Sequence, residues 1–114
     1  MGNVAYDKSF EYAVEIVKLA KELRRQGEYE IISQLVRSAT SIGANLSEAQ
    51  YAQSSADFTA KLSIALKEAS ESRYWLKLMR ATGDIGTDES AELISKADEL
   101  IRILTASVKT TKRQ

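Results

Sequence analysis

Residues 34–49 read QLVRSATSIGANLSEA, and the spacing of their apolar side chains decides the fold. Leu35, Ile42 and Leu46 recur at helical intervals, so they lie on one face of an α-helix that is predicted over residues 29–50. A polar stripe runs directly beside that face and consists of Gln34, Ser38, Ser41, Asn45 and Glu48, with Arg37 on its outer margin. Because this helix is amphipathic, other helices must cover its apolar face.

Three further helices are predicted around this segment. They cover residues 7–25, where Gly27 supplies a left-handed stop, and residues 55–82 and 88–109. Connections of about three to six residues make consecutive helices antiparallel neighbours. The sequence therefore predicts one all-α domain over residues 1–114, an up-down-up-down antiparallel four-helix bundle.

Local signals mark the ends of the last two helices. Ser54 is predicted to cap helix three, with Asp57 as the reciprocating acid of a capping box. Gly83 closes the same helix with a left-handed residue. Thr87 or Asp88 is predicted to cap helix four, and the chain after residue 109 is expected to fray.

The composition excludes several classes of catalytic site. The chain has no Cys and no His, so it cannot by itself build thiolate, zinc, haem, iron–sulfur or Ser-His-Asp chemistry. Its 16 basic and 16 acidic residues give a net charge of zero, so no overall field attracts nucleic acid or an anionic membrane. The sequence shows no signal peptide and no membrane-spanning run, which predicts a cytoplasmic protein, and no cofactor is predicted.

Helix one and helix three each carry a second apolar face. The core stripe of helix one is assigned to Tyr6, Phe10, Ala13, Val17 and Ala20. A bundle of this size does not cover two faces of one helix, so the remaining apolar side chains predict a homo-oligomer. The predicted interface consists of Tyr12, Ile16, Leu19 and Leu23 on helix one and Ile64, Trp75 and Leu78 on helix three.

The stretch 34–49 closely resembles the signature of the bacterial four-helix-bundle family of 23S rRNA intervening-sequence proteins. The resemblance is carried by Gln34, Leu35, Arg37, Ala39, Ser41, Ile42, Ala44, Asn45 and Glu48. Gly43 stands where the family usually has proline, and Ala49 stands where it usually has glycine. The resemblance implies a cytoplasmic, non-enzymatic bundle that assembles as a ring-like homopentamer.

A related branch of the same family suggests a second role. It includes the accessory variability protein of diversity-generating retroelements, a basic pentamer that binds nucleic acid. The present chain is neutral, so that role does not transfer by charge.

Two interpretations of the polar stripe in helix two stay open. In the first, its small and polar side chains let helices approach closely and satisfy hydrogen bonds across the contact. In the second, Arg37, Asn45 and Glu48 form a site for a ligand or nucleic acid. The first interpretation is preferred, because such side chains are common where helices pack.

Two catalytic alternatives have weaker support. Glu68 and Glu71 lie on one helical face, but the di-iron bundles that use such pairs also require His; Glu68 is instead expected in solvent and Glu71 in an ion pair. Ser38, Ser41 and Lys61 resemble a Ser–Lys pair, but no oxyanion hole accompanies them. The sequence therefore predicts that the protein is not an enzyme.

The predicted function is that of an oligomeric interaction scaffold whose partner the sequence does not identify. The alternative is an RNA- or DNA-binding accessory protein that gathers basic residues from several subunits on one surface. The candidate contacts are Arg37, Lys61, Lys67, Lys77, Arg80, Lys109, Lys112 and Arg113. Acidic residues are interspersed among them. Core or interface spacing, rather than a position among the basic residues, is found for the aromatic side chains Tyr6, Phe10, Phe58 and Trp75. The scaffold is therefore preferred.

Overall fold

The computed structural model describes residues 4–27 and 29–113, and this part of the chain contains helices and no strand. The helices are α1 Val4–Arg24, α2 Glu30–Ala49, α3 Ser55–Ala81 and α4 Thr87–Lys112. Helix α1 packs against α2 and α4, and α3 packs against the same two helices, in a body of 46 × 21 × 20 Å. The predicted all-α architecture of four helices packed as a bundle is confirmed.

Glycine residues lie at the ends of two helices, and a serine lies at the start of α3, as the sequence indicated. Gly27 has a φ of +93° and Gly83 a φ of +79°, the left-handed conformation that side chains with a Cβ rarely adopt. At α3, the Oγ of Ser54 accepts a hydrogen bond from the backbone N–H of Asp57 at 3.0 Å. The Asp57 carboxylate accepts from Gln53 N–H at 3.2 Å, so the reciprocal bond of the predicted capping box comes from one residue earlier.

The start and the end of α4 differ from the prediction. Gly86 is the residue that precedes the helix, Thr87 is its first helical residue, and no side chain caps it, so the predicted capping role of Thr87 or Asp88 is wrong. The helix continues to Lys112 rather than fraying after Lys109. Buried Val108 anchors the last turns, and basic residues there interact favourably with the negative end of the helix dipole.

The face of α1 that fills the core is not the one assigned from the sequence, although Ala20 of the assigned stripe is buried and Tyr6 packs against the core. Tyr12, Ile16, Leu19 and Leu23 are all buried within the protomer, with 8 % or less of each residue exposed, so the prediction that they form a subunit interface is contradicted. Phe10, assigned to the core, is 57 % exposed. The Tyr–Ile–Leu–Leu stripe supplies the large side chains that fill the bundle interior, and the small side chain of Ala20 is buried beside them.

Polar contacts hold this orientation of α1. The Tyr12 hydroxyl lies 2.9 Å from Ser72 Oγ on α3, across the core. Burial raises the pKa of Tyr12 to about 12, and the hydrogen bond to Ser72 offsets part of that rise, so the phenol is neutral at physiological pH. Buried Ser9 faces Gly43 on α2, where an added Cβ would lie 3.1 Å from the serine Oγ. Gly43 therefore permits the close approach of α1 and α2.

Candidate functional site

The polar motif of α2 and one stripe of α3 meet along a single side of the bundle, which we call the α2–α3 edge. Five hydrogen-bonded or ion-paired contacts link its members, either across the two helices or along one of them. The edge comprises Gln34, Arg37, Ser41, Asn45 and Glu48 on α2 and Lys61, Ile64, Glu68, Glu71, Trp75 and Leu78 on α3.

Arg37 is the centre of the polar network on this edge. Its guanidinium donates to both oxygens of Glu68 at 3.4 Å and also to Glu71. The Glu71 carboxylate accepts a second hydrogen bond from Trp75 Nε1 at 3.0 Å, and Gln34 accepts one from Arg37 Nε at 3.3 Å. Glu68 is 9 % exposed, so the expectation that it is solvated is wrong, whereas the ion pair expected for Glu71 is present.

The rest of the motif bonds within α2 or to the facing helix. Ser41 donates to the Arg37 carbonyl at 2.7 Å, and the Asn45 side-chain amide donates to the Ser41 carbonyl at 2.9 Å. Glu48 accepts from Lys61 Nζ on α3 at 2.8 Å, an ion pair that raises the pKa of Lys61. Ser38 is fully buried and donates to carbonyl groups of its own helix, so it belongs to the interior rather than to the edge.

The structure brings the α3 residues of the predicted interface onto the same edge. Ile64 is 39 % exposed, and Trp75 and Leu78 are half-buried. A shallow depression of about 550 Å³ lies at the end of the edge, between Trp75 and the first turn of α2 with Tyr29 and Glu30. The motif and this half of the predicted interface therefore form one surface.

The eight predicted nucleic-acid contacts do not converge on one surface of the protomer. Arg37 and Lys61 are engaged by carboxylates on the α2–α3 edge. The exposed outer side of α3 carries Lys67 and Lys77, and Arg80 is exposed in the last turn of the same helix. The remaining candidates lie in the last turn of α4 or directly after it and are exposed: Lys109, Lys112 and Arg113.

Sequence reasoning missed an exposed aromatic residue among the basic side chains. Tyr74 is 58 % exposed. It lies two helical turns after Lys67 and three residues before Lys77, so all three side chains lie on the outer side of α3. Its spacing of seven from Lys67 was visible in the sequence.

A second missed surface is the solvent-facing side of α1, which we call the α1 outer face. It forms a shallow apolar groove of about 360 Å³ that is lined by Phe10, Ala13, Val14, Val17, Lys18 and Lys21. Phe10 and Val14 are 57 % and 38 % exposed. The sequence contained this stripe, but assigned it to the core.

The arrangement of the edge is that of a packing surface between α2 and α3. The Ser38 and Ser41 hydroxyls donate to carbonyls of their own helix, so they are not aligned with Lys61 as an activated nucleophile. Within residues 4–27 and 29–113, no three acidic side chains are placed to share a metal ion. In the same part of the chain, no helix is both long enough and apolar enough to cross a membrane.

These features define a class of all-α proteins in which a polar motif on the second helix of a four-helix bundle is bound to the third. The chain belongs to the family of 23S rRNA-intervening sequence proteins, whose family model matches residues 2–106. A solved structure from Bacteroides thetaiotaomicron, a protein of unknown function from the S23 ribosomal protein family, is 46% identical and superimposes with a TM-score of 0.90. The match covers 94% of this chain and 96% of that one. No curated protein matches the sequence.

Proposed function

We propose that the protein is a non-enzymatic cytoplasmic scaffold that assembles into a ring-like homo-oligomer. The observation that carries the proposal is the α1 outer face, where Phe10 and Val14 remain in solvent beside half-buried Ala13 and Val17. Contiguous apolar surface on a soluble protomer marks a contact with another molecule. Ile64 and Leu78 add apolar surface on the α2–α3 edge, and the family resemblance sets the expected number of subunits at five.

Replacing Phe10 with aspartate is expected to convert the oligomer to monomers without unfolding the helices. A carboxylate at this position cannot be desolvated against apolar side chains, whereas in the monomer it remains in water. Light scattering after size exclusion at micromolar concentration measures the mass, and far-UV circular dichroism reports the helices. Tyr51→Asp is the control, because Tyr51 is 82 % exposed and lies outside both apolar surfaces. A wild-type protein that is monomeric under these conditions would contradict the proposed assembly.

A second candidate function is binding of single-stranded nucleic acid through the outer side of α3. Exposed Tyr74 lies between exposed Lys67 and Lys77, with Arg80 one turn further on. None of these three basic side chains pairs with a carboxylate among the described residues. Cationic groups around an aromatic side chain match a phosphate backbone whose bases stack. A ring would repeat this group in every subunit.

If this second function holds, the wild-type protein binds a single-stranded RNA of mixed sequence with an affinity that falls steeply as salt rises. Fluorescence anisotropy at 50 and 200 mM salt would measure it. Tyr74→Ala is expected to weaken binding about tenfold, and Lys77→Gln to reduce the salt dependence by about one unit of slope. Lys96→Gln is the matched control, because Lys96 is paired with Glu15 and Glu92. Absence of binding at 50 mM salt would rule the function out.

A further inference from the structure

Two different apolar surfaces are left uncovered by the other described residues of the protomer. The α1 outer face presents exposed Phe10, and the α2–α3 edge presents exposed Ile64 beside half-buried Trp75 and Leu78. They lie on different sides of the bundle, because α1 packs against α2 and α4 and makes no comparable contact with α3. A contact between two unlike surfaces is heterologous, and repeating it generates a ring when the rotation closes.

We propose that the α1 outer face of one copy docks onto the α2–α3 edge of a second copy. The inference rests on the assembly proposed above and adds which surfaces meet. In a ring whose axis is parallel to the helices, two side chains that meet across the contact have the same position along the bundle axis. We call this position the level of a side chain. The contacts within one protomer give these levels.

The levels of the two surfaces match at one end of the contact. Phe10 lies next to Ser9, which faces Gly43, so Phe10 is level with Gly43 on α2. The contact between Arg37 and Glu68 sets α2 and α3 at a common level. Gly43 lies about 9 Å beyond Arg37 along α2, and Ile64 lies about 6 Å before Glu68 along α3. The antiparallel helices therefore place Phe10 and Ile64 within about one turn of each other.

The levels also match at the other end, where the charges are complementary. Lys21 lies about 18 Å beyond Ser9 along α1, and Glu30 lies about 20 Å before Gly43 along α2. Lys21 borders the groove of the α1 outer face, and Glu30 borders the depression beside Trp75. Both are exposed and neither forms a salt bridge with another described residue. A neighbouring copy thus brings an unpaired cation to an unpaired carboxylate.

A charge exchange tests this pairing. Lys21→Glu and Glu30→Lys are each expected to raise the dissociation constant of the oligomer about tenfold, because each places like charges in contact. The double variant restores the opposite pair and is expected to lie within about threefold of the wild type. A dilution series with light scattering provides the constants. Lys112→Glu, at the far end of α4, is the control and should leave them unchanged.

Cross-linking provides a readout that does not depend on charge. Because the chain has no Cys, Phe10→Cys and Ile64→Cys each introduce a single thiol. A mixture of the two variants is expected to form disulfide-linked pairs under mild oxidation, whereas each variant alone does not, since the contact joins unlike surfaces. The pairing is wrong if the wild type assembles, the single charge variants assemble equally well and the mixture does not cross-link. In that case the proposed scaffold still stands. A monomeric wild type would overturn both.

Discussion

Replacing Ile16 with alanine is expected to lower the free energy of unfolding by about 2–5 kcal/mol, the range for deleting a large aliphatic side chain from a packed core. Ile16 is 0 % exposed, so the surrounding side chains cannot rearrange without leaving a cavity. Val17→Ala, one residue further on, is expected to cost about 1 kcal/mol or less, since Val17 is half-buried and alanine favours the helix.

The comparison of these two neighbours decides which face of α1 points inward. Urea unfolding followed by circular dichroism would measure both, in the Phe10→Asp background so that assembly does not contribute to the difference. A larger loss for Val17→Ala than for Ile16→Ala would contradict the orientation of α1 and would favour the stripe that the sequence assigned to the core.

Replacing Arg37 with methionine is expected to destabilise the protein by about 1–2 kcal/mol, in the lower part of the range for an unsatisfied buried polar group. The Glu68 side chain is 12% exposed and would lose its cationic partner, while the methionine retains most of the aliphatic stem. The Arg37 side chain is 48% exposed, so solvent screens the interaction and keeps the loss below that of a fully buried ion pair.

Two further variants make the Arg37 result interpretable. Arg25→Met removes an ion pair with Glu22 whose side chains are 74% and 61% exposed, and its effect should stay below about 0.5 kcal/mol. Adding Glu68→Met to Arg37→Met removes the orphaned carboxylate and is expected to recover part of the lost stability. If Arg37→Met unfolds at the same urea concentration as the wild type, Arg37 does not serve to hold α2 to α3, and the interpretation of the motif as a binding site is favoured.

The candidate site could be anticipated in part from the sequence. The stripe of Gln34, Ser41, Asn45 and Glu48 follows from helical spacing, and the acid pair of Glu68 and Glu71 from its own spacing. The links between them could not be anticipated, because Glu68 is 31 residues from Arg37 in the chain and meets it only when α2 and α3 pack. Burial of Glu68 likewise depends on its neighbours rather than on its own segment.

What the sequence by itself determined is local. Apolar spacing sets the four helices, the Oγ of Ser54 caps α3 from three residues away, and Gly27 and Gly83 adopt the left-handed conformation that ends a helix. Each of these depends on interactions within a few residues of the chain.

The tertiary structure alone decided which side of α1 faces the core. Both stripes have the helical period, so periodicity cannot distinguish them, and the choice depends on fit against the other helices. The stripe of Tyr12, Ile16 and Leu19 fills the interior and brings the tyrosine hydroxyl to Ser72, 60 residues away. That packing leaves Phe10 in solvent and so determines which surface of α1 is available to a partner. The physical reason is close packing, which selects one of two apolar faces that have the same helical period.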